Sequence, residues 1–394
     1  MEVYLVGGAV RDLLMGVEPK DKDYVVIDSS KEEMLALGYE EVGKGFPVFL
    51  HPETRCEYAL ARKERKVYKE DVNEHQAFEF DTEFVTLEED LLRRDLTINS
   101  IAMNEKTGIF LDPYGGIRDI KEKRLIHTSA AFIEDPLRVL RVARFNARFP
   151  DFIIDSGTLA LMGAIANTKG FKDLPKERVF GELEKALGST EPKKFIEILH
   201  ECGAAWHFKA MYDGIDMKAY ERALLYQQKW HKKQKPTTIL DLALDMLRLM
   251  TAKTNDVMLR YVAFASSLNN PDKFGLEIGA PSDWIKESSR IKKAFDTVHA
   301  SIKISKDDDY AHALNEYQLL VNLDAFRNAK SFENFLTVIE LTGCFALEWF
   351  RSTYATATSV TIKDICPSLK GKEIGDEMKR LRIERIEKCI KNYC

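Results

Sequence analysis

Short apolar runs separated by turn-forming residues occupy the first 60 positions of the chain, and they predict a small sheet. The run Val3–Val6 ends at two consecutive glycines, which is typical of a buried strand followed by a tight turn. A second apolar run begins at Asp21. Phe46–Leu50 and Glu57–Leu60 are two further strand candidates, with the turn-prone His51-Pro52 between them.

Further along, the apolar period becomes that of helices. In EDPLRVLRVARFNAR (residues 134–148), Pro136 and the two acidic residues before it are typical of a helix N-terminus. Arginines then follow at spacings of three, three and four, which places them on one helix face: Arg138, Arg141, Arg144 and Arg148. The apolar residues fall on the opposite face: Val139, Leu140, Val142, Ala143 and Ala147. Leu174–Leu187 is a second amphipathic helix, with Val179, Phe180, Leu183 and Leu187 on its apolar side.

Residues 63–89 separate the strand candidates from the helical region. They are polar and charged, with three isolated phenylalanines (Phe78, Phe80 and Phe84) and no sustained period. A structureless stretch of this length inside a domain is usually functional or mobile. The alternative is an insertion without a role.

Composition and charge restrict the class of protein. A chain of 394 residues predicts roughly two to four domains. No apolar stretch is long enough to span a membrane, and the N-terminus lacks the pattern of a secretory signal. Six scattered cysteines indicate reduced thiols, and therefore a cytoplasmic location. The net charge of −5 gives no global nucleic-acid signal, so an RNA-binding surface would have to be local.

The first candidate chemistry lies at the ends of the first two apolar runs. Asp21 and Asp23 are two residues apart, so in a strand they point to the same side. Adjacent carboxylates repel unless a cation lies between them, and Mg²⁺ takes oxygen ligands of this kind together with substrate phosphates. Gly7, Gly8 and Arg11 are suited to holding a phosphate. The pattern indicates a metal-dependent phosphoryl or nucleotidyl transfer centre; the alternative is a glycine turn beside a solvated acidic strand edge.

GGAVRD followed by DKDYVV resembles the class II branch of the nucleotidyltransferase superfamily, which comprises tRNA CCA-adding enzymes and bacterial poly(A) polymerases. The resemblance implies a third acidic ligand in a later strand, before an arginine. Glu57 and Arg62 match these positions. A site of this type would be a two-metal Mg²⁺ centre, with the cations about 3.5–4 Å apart. The resemblance therefore implies that Asp21, Asp23 and Glu57 are catalytic, with Asp21 and Asp23 as metal ligands.

The string RRDLTIN matches the second motif of the family and carries Arg94, Asp95 and Asn99. Asp95 and Asn99 are one helical turn apart, and a carboxylate and an amide so placed suit ribose hydroxyls, while an arginine suits phosphate. The segment Asp112–Gly116 (DPYGG) also matches the family, although its role could be purely structural. In CCA-adding enzymes, a flexible loop at the place of residues 63–89 helps to switch specificity from C to A.

EDxxR is the nucleobase-reading motif of the family, and here it falls on Asp135 and Arg138. Cytosine and adenine both present an amino donor next to a ring-nitrogen acceptor, whereas uracil and guanine reverse that order. A carboxylate acceptor beside an arginine donor therefore fits C and A, and it leaves U and G with unpaired groups. Arg141 and Arg144 lie further along the same helix face, toward the expected position of the triphosphate.

The second half of the chain resembles longer bacterial CCA-adding enzymes, which carry a metal-dependent HD-type domain. This chain contains no His-Asp dipeptide, and Ser266-Ser267 occupy the place where that dipeptide would align. We expect a helical scaffold without HD-type phosphohydrolase activity. Basic residues between 370 and 385 suit phosphate contacts along an acceptor stem, although a solvated C-terminal helix would have the same composition.

These observations predict an α+β fold with an N-terminal nucleotidyltransferase head and a short mixed sheet, followed by helical neck, body and tail. The expected domains are residues 1–130 (head), 131–205 (neck), 206–315 (HD-like body) and 316–394 (tRNA-binding tail). The resemblance implies addition of C, C and A to tRNA 3′ ends from CTP and ATP, with no obligate protein partner. The alternatives are a poly(A) polymerase, a partial CC- or A-adding enzyme, and a catalytically silent RNA-binding relative.

Overall fold

The computed structural model describes residues 1–42, 48–67, 77–81, 85–213, 239–301, 304–305, 308–343 and 346–393. Contacts between residues divide the chain into two units. The first unit comprises Met1–Pro175 and Lys194–Ala205, and the second comprises Lys176–Lys193 and Trp206–Cys394. The predicted α+β class is confirmed, because the described strands all lie in the first unit and the second is helical. The finer division into four domains stays a prediction.

The first unit contains a seven-stranded mixed sheet in the order β3-β4-β5-β2-β1-β8-β9. Its strands are β1 (Glu2–Val6), β2 (Asp23–Ile27), β3 (Glu40–Val42), β4 (Val48–Leu50), β5 (Glu57–Leu60), β8 (Ala102–Asn104) and β9 (Ile109–Leu111). Strands β2 and β5 are parallel, and the other neighbouring pairs are antiparallel. The sheet thereby brings the start of β5 next to the start of β2.

Both faces of this sheet are covered, which explains why its central strands are continuous apolar runs rather than alternating ones. One core cluster contains Val6, Val25, Ala61, Val85, Leu87, Leu91 and Ala102. The other contains Val26, Met34, Phe49 and Leu60. The strands predicted at Val3–Val6 and Glu57–Leu60 are confirmed. Of the strand predicted at Phe46–Leu50, the described part is β4, since residues 43–47 lie outside the described residues.

The prediction of a structureless stretch over residues 63–89 is wrong in part. Strands β6 (Lys63–Val67) and β7 (Ala77–Asp81) pair antiparallel as a separate two-stranded sheet. In the backbone register, Lys63 is paired with Asp81 and Arg65 with Glu79. Sequence reasoning missed the hairpin because apolar and polar residues alternate in β7 alone. Residues 68–76 and 82–84, including Phe84, lie outside the described residues.

Helices cover the sheet and complete the first unit. They are α1 (Gly8–Leu14), α2 (Lys31–Ala36), α3 (Leu87–Leu92), α4 (Gly116–Lys121), α5 (Arg138–Arg148), α6 (Ser156–Ala166), α7 (Lys169–Lys172) and α9 (Lys193–Glu201). Short 3₁₀ turns occur at Thr97–Asn99 and Ala130–Glu134, and β10 (Arg124–Leu125) pairs with β11 (Ile153–Ile154). Helix α5 begins two residues after Pro136, and just before it the side chain of Asp135 accepts the backbone N–H of Leu137.

The second unit contains α8 (Lys176–Leu187), whose predicted apolar face is buried. Its other α-helices among the described residues are Ile239–Lys253, Val257–Ala265, Pro271–Ile278, Ser282–Ser301, Asp309–Asn322, Ala329–Glu340, Leu347–Thr358 and Lys372–Tyr393. Across the described residues, no helix combines the length and the apolar character that crossing a bilayer requires. The cysteines described as free thiols are Cys56, Cys202, Cys366 and Cys389.

Candidate active site

Two of the three predicted carboxylates begin neighbouring strands. Asp23 is the first residue of β2 and Glu57 is the first residue of β5, and the two are register partners in the parallel pair. Register partners lie on the same face of a sheet, in strands about 4.8 Å apart. Asp21 was expected to begin the strand as well, but it lies in a bend two residues before β2. All three residues are exposed, so the carboxylates form an accessible acidic edge.

The surroundings of Asp23 disfavour its charge. Although Asp23 is open to solvent, desolvation by the protein around its carboxylate raises its pKa, as does the neighbouring Asp21, while Arg94 acts in the opposite direction. Carboxylates that repel in this way are suited to a cation, and Mg²⁺ is normally held by one or two carboxylates together with water and phosphate oxygens. The Asp21–Asp23 pair fits that donor set.

The described residues contain no group of three or more His, Cys, Asp or Glu side chains arranged to hold a metal ion. A pair of carboxylates that is completed by the phosphates of a substrate does not need such a group. The role of Glu57 as a third ligand therefore stays a prediction.

The glycine turn lies beside these carboxylates. Gly7 follows β1 directly, and the last residue of β1, Val6, is the register partner of Asp23. Gly7 has φ +67°, and a Cβ at this position would lie 2.9 Å from Nη1 of Arg94. Only glycine therefore allows both the left-handed backbone and the close approach of this guanidinium. Arg94 thus lies between the turn and the acidic edge.

Asp90 holds the two arginines of the RRD string in place. Its side chain is fully buried, and it accepts hydrogen bonds from Arg93 Nη2 (2.5 Å) and Arg94 Nη2 (3.0 Å). It also accepts the backbone N–H of Arg62, which lies two residues after the end of the strand of Glu57. Burial alone would raise the pKa of Asp90, but Arg94 and Arg93 outweigh it and the pKa falls below its ordinary value.

Sequence reasoning missed Asp90. The available signal was its position in α3, where it shares the buried helix face with Leu87 and Leu91. An acidic residue at a core position of a helix requires a cationic partner, and two arginines follow three and four residues later in the sequence.

Arg11, predicted to hold phosphate, is 3% exposed. Its Nε and Nη2 donate to Asp12 Oδ1, at 2.9 and 2.7 Å, and its Nη1 donates to Asn99 Oδ1 at 2.6 Å. Its guanidinium lies over the rings of Phe145 and Phe149, at 5.3 and 5.2 Å from their centroids. Burial lowers the pKa of Arg11, while Asp12 acts in the opposite direction. In this structure Arg11 therefore orients other members of the site.

Asp95 and Asn99 were expected one turn apart on a helix face; they do contact each other, but Asp95 lies in a bend and Asn99 in the 3₁₀ turn Thr97–Asn99. Asn99 Nδ2 donates to Asp95 Oδ1 at 2.9 Å, and Arg141 Nε donates to Asp95 Oδ2 at 2.7 Å. Burial would raise the pKa of Asp95, but Arg141 and Asn99 hold it far below its ordinary range. Arg148 Nη2 donates to Asp12 Oδ2 at 2.8 Å. Six side chains thus form one continuous chain of hydrogen bonds: Arg148, Asp12, Arg11, Asn99, Asp95 and Arg141.

The predicted base-reading residues lie at the start of α5. Arg138 is 7% exposed, and its Nη1 and Nη2 donate to the backbone carbonyls of Ala131 and Arg93, at 2.8 and 2.5 Å. These two bonds fix the plane of the guanidinium. Arg144 lies over the ring of Phe145, 4.3 Å from its centroid. The predicted apolar face of α5 is confirmed, since all five of its residues are buried.

The DPYGG segment is structural. Asp112 accepts the backbone N–H groups of Gly116 and Ile117, at 2.7 and 2.9 Å, and so caps the start of α4. A Cβ on Gly116 would lie 2.1 Å from the carbonyl oxygen of Thr97, so the glycine allows α4 to pack against the turn that carries Asn99. The segment therefore supports the site from behind.

Family models match two parts of this chain. Residues 3–126 match the Poly A polymerase head domain, and residues 151–211 match the probable RNA and SrmB-binding site of polymerase A. The head-domain match includes the glycine turn, both acidic strands and the RRD string. The second match begins after α5.

Similar proteins and structures extend the likeness to the whole chain. A multifunctional CCA protein of Nitrosococcus oceani is 37% identical over 419 residues, covering 99% of each chain. A CCA-adding enzyme of Coxiella burnetii is 36% identical over 401 residues, covering 99% of this chain and 96% of that protein. A multifunctional CCA protein of Shewanella denitrificans is 55% identical over 212 residues, which are 52% of this chain and 49% of that protein.

Two solved structures share the fold. A CCA-adding enzyme in apo form II has a TM-score of 0.63 at 22% identity, covering 98% of this chain and 88% of the other. A Thermotoga maritima CCA-adding enzyme complexed with tRNA has a TM-score of 0.61 at 20% identity, covering 98% and 87%. At these identities the structures establish the fold alone. The full-length relatives, each more than 30% identical, establish that the chain belongs to the family of CCA-adding enzymes.

Proposed function

We propose that this protein adds C, C and A to the 3′ ends of tRNA, without a template, from CTP and ATP. In each step the terminal 3′ oxygen forms a bond to the α-phosphorus of the nucleotide, and the bond to pyrophosphate breaks. The observation that carries the proposal is the pairing of Asp23 with Glu57 beside the glycine turn of Gly7, in a chain of this family. We expect the protein to act in the cytoplasm, where tRNA is available.

The acidic edge would hold magnesium, with Asp21 and Asp23 as ligands and Glu57 as the third carboxylate of a two-metal site. When bound there, Mg²⁺ supplies a lowered pKa for the 3′-hydroxyl and neutralises charge on the phosphates. Gly7 and Gly8 would let the triphosphate approach the backbone closely. Arg94, held by Asp90 next to Gly7, would contact that triphosphate.

Asp95 and Asn99 would hold the nucleotide sugar, and Asp135 and Arg138 would select its base. The two carbonyl bonds of Arg138 restrict its guanidinium to one plane at the start of α5. A fixed donor beside the carboxylate of Asp135 matches the edge shared by cytosine and adenine. Arg141 and Arg144 extend the positive face of α5 toward the phosphates.

The second unit would bind tRNA. Lys370, Lys372 and Lys379 are exposed, whereas Arg380 pairs with Glu377 and Arg385 pairs with Asp364. The three lysines are therefore better candidates for phosphate contacts than the arginines. Ser266 is 1% exposed at the end of the helix Val257–Ala265. Because serine replaces the His-Asp ligands there, we propose that HD-type phosphohydrolase activity is absent.

The test uses tRNA that lacks its CCA end, incubated with Mg²⁺ and with each nucleotide alone or in pairs. We expect addition of two residues from CTP alone, and of three residues from CTP with ATP. A poly(A) polymerase would extend with ATP alone and would not stop after one residue. Addition of CC without A, or of A only to tRNA ending in CC, would indicate a partial enzyme. No incorporation would favour a silent RNA-binding relative.

A further inference from the structure

Asp12 and Arg148 are 136 residues apart in the sequence, and neither belongs to the predicted nucleotide-binding set. Arg148 is the last residue of α5, and Asp12 lies on α1, directly after Arg11. The Nη2 to Oδ2 distance between them is 2.8 Å. The ion pair therefore joins the C-terminal end of α5 to the helix that follows the glycine turn.

A second contact reinforces this connection. The other oxygen of Asp12 accepts two hydrogen bonds from Arg11, and Arg11 lies over Phe145 and Phe149, which flank Arg148 on and just beyond α5. A buried cation over aromatic rings is attracted to them. Asp12 thus bonds to Arg148 at the end of α5, and it also bonds to Arg11, whose guanidinium packs on the aromatic rings at that same end.

The middle of α5 is tied to the same chain of side chains. Arg141 bonds to Asp95, Asp95 to Asn99, and Asn99 to Arg11. The start of α5, at Arg138, lies about 15 Å from Arg148 at 1.5 Å per residue. A tilt of only a few degrees at the C-terminal end would therefore displace Arg138 by about 1 Å, and displacements of that size at a reacting or recognising group have large effects on rate and selectivity.

We propose that Asp12 and Arg148 are positioning residues that fix the direction of α5 and thereby set the discrimination of CTP and ATP against UTP and GTP. The inference rests on the proposed function, because it assigns base selection to the start of α5. Neither residue touches the nucleotide in this scheme. Both act through Arg138.

Arg148 is the residue to test. Its side chain is 40% exposed, so its removal leaves no buried cation behind, and an exposed ion pair contributes about 0–1 kcal/mol to stability. Asp12 has a side chain that is 13% exposed and serves two arginines, so its substitution would perturb folding as well.

The experiment compares the wild type with Arg148→Met and Arg148→Lys. Arg351→Met serves as a matched control, because Arg351 has a side chain 49% exposed and pairs with Glu333 in the second unit. On tRNA lacking its CCA end, kcat and KM are measured for CTP and UTP, with thermal unfolding in parallel. For Arg148→Met, we expect the preference for CTP over UTP in kcat/KM to fall about tenfold, while kcat with CTP stays close to the wild-type value.

Arg148→Lys keeps a charge that can reach Asp12, and we expect it to restore most of the preference. Arg351→Met should match the wild type. Unchanged discrimination in Arg148→Met, or an equal loss of activity with both nucleotides, would overturn the inference while the proposed function stands. A wild type that incorporates neither CTP nor ATP would overturn both.

Discussion

Asp23 and Glu57 are register partners at the first positions of the only parallel strand pair in the seven-stranded sheet as described. On the other side of β2, Asp23 faces Val6, the residue before the glycine turn. Parallel pairing places the starts of two strands at the same edge of a sheet, and antiparallel pairing with β1 brings a strand end to that edge too. Two acidic side chains and a turn of backbone N–H groups therefore meet because of topology, although the sequence separates them by some 50 residues.

Asp23→Asn should abolish nucleotide transfer without weakening the fold. Asn preserves shape but removes a charge that repels Asp21, so thermal stability should be unchanged or slightly higher. Incorporation from both CTP and ATP should fall by about 10³-fold, because metal charge stabilisation is worth several kcal/mol and each 1.36 kcal/mol is tenfold. The measurement is single-turnover extension of tRNA lacking its CCA end.

The matched control is Asp28→Asn, just beyond the opposite end of β2. Asp28 is exposed with φ 54°, a conformation that Asn also tolerates. The Asp28→Asn variant should retain nucleotide transfer activity. If Asp23→Asn extends tRNA as fast as Asp28→Asn, the metal assignment is wrong.

Glu105 binds the ammonium group of Lys22, a cation that could otherwise compete with a metal ion for the acidic edge. Lys22 lies between Asp21 and Asp23, and since β2 begins only at Asp23, the strand does not fix the direction of the lysine. Glu105 does so, with one oxygen accepting Lys22 Nζ at 3.0 Å and the other accepting the hydroxyl of Tyr24 at 2.9 Å. In Glu105→Ala, the freed ammonium can reach the neighbouring carboxylates. We expect weaker binding of Mn²⁺, by several fold.

Binding of Mn²⁺ to the protein without nucleotide, followed by electron paramagnetic resonance, measures this effect independently of catalysis. Lys22→Met in the Glu105→Ala background should restore the affinity, because no ammonium is left to compete. Glu41→Ala is the control, since it breaks an ion pair of similar exposure with Lys31. Equal Mn²⁺ affinity in Glu105→Ala and Glu41→Ala would contradict the prediction.

The acidic edge and the glycine turn could be predicted from the sequence because both are local. Each strand is a short apolar run, and each functional residue lies at the end of a run, where side chains leave the core. The start of β2 was placed two residues early, because a charge pattern does not show where pairing with β1 ends. The pairing of β6 with β7 was missed for a related reason, since β6 is almost entirely charged and has no apolar period to detect.

The network behind the site could not be predicted. The spacing of arginines in α5 gives the face that carries them, but it does not show what covers that face. Arg138 and Arg11 were expected to point at a ligand, and both are buried against protein oxygens. Arg11 bonds to Asn99, which lies 88 residues away, and Arg138 bonds to two backbone carbonyls, which carry no side-chain signal. Such contacts follow from tertiary structure alone.

Asp90 should make stability depend on pH. Its pKa is lower in the folded protein than the ordinary value of 3.8, because Arg94 and Arg93 outweigh its burial. The stabilisation is therefore fully present above pH 4 and is lost as the pH falls through the folded-state pKa. Asp90→Asn removes the charge but keeps the shape, and at pH 7 it should lower the free energy of unfolding by about 3 kcal/mol, since two buried arginine contacts lose their counter-charge.

Thermal unfolding of the wild type and Asp90→Asn at pH 7, 4 and 2.5 tests this. The difference between the two proteins should be largest at pH 7 and should shrink toward pH 2.5, because Asp90 takes up a proton more readily in the unfolded protein than in the folded one. Glu18→Gln, at an exposed position, should change stability by less than about 0.5 kcal/mol at every pH. A difference between wild type and Asp90→Asn that stays constant with pH would refute the role of the charge.

Arg260 stabilises the end of α8 within the second unit. The residue is 3% exposed, and its guanidinium donates to the backbone carbonyls of Leu187 and Ser189, at 2.7 and 3.1 Å. On its other side it donates to the carbonyls of Thr251 and Thr254 at the end of the helix Ile239–Lys253. Helix ends leave carbonyls without partners inside the helix, and here one arginine donates hydrogen bonds to several of them at once.

Arg260→Met should therefore lower the free energy of unfolding by about 3 kcal/mol or more, since each buried carbonyl left without a donor costs about 1–3 kcal/mol. Lys253→Met is the contrast, because it removes a partly exposed ion pair with Glu340 from the end of the same helix, and such a pair contributes about 0–1 kcal/mol. Amide hydrogen exchange locates the effect. Exchange at residues 184–189 and 250–255 should accelerate in Arg260→Met and not in Lys253→Met. The prediction is wrong if both variants lose similar stability and keep the same exchange pattern. In that case the carbonyls reach water when the arginine is removed, and Arg260 contributes no more to stability than a surface charge.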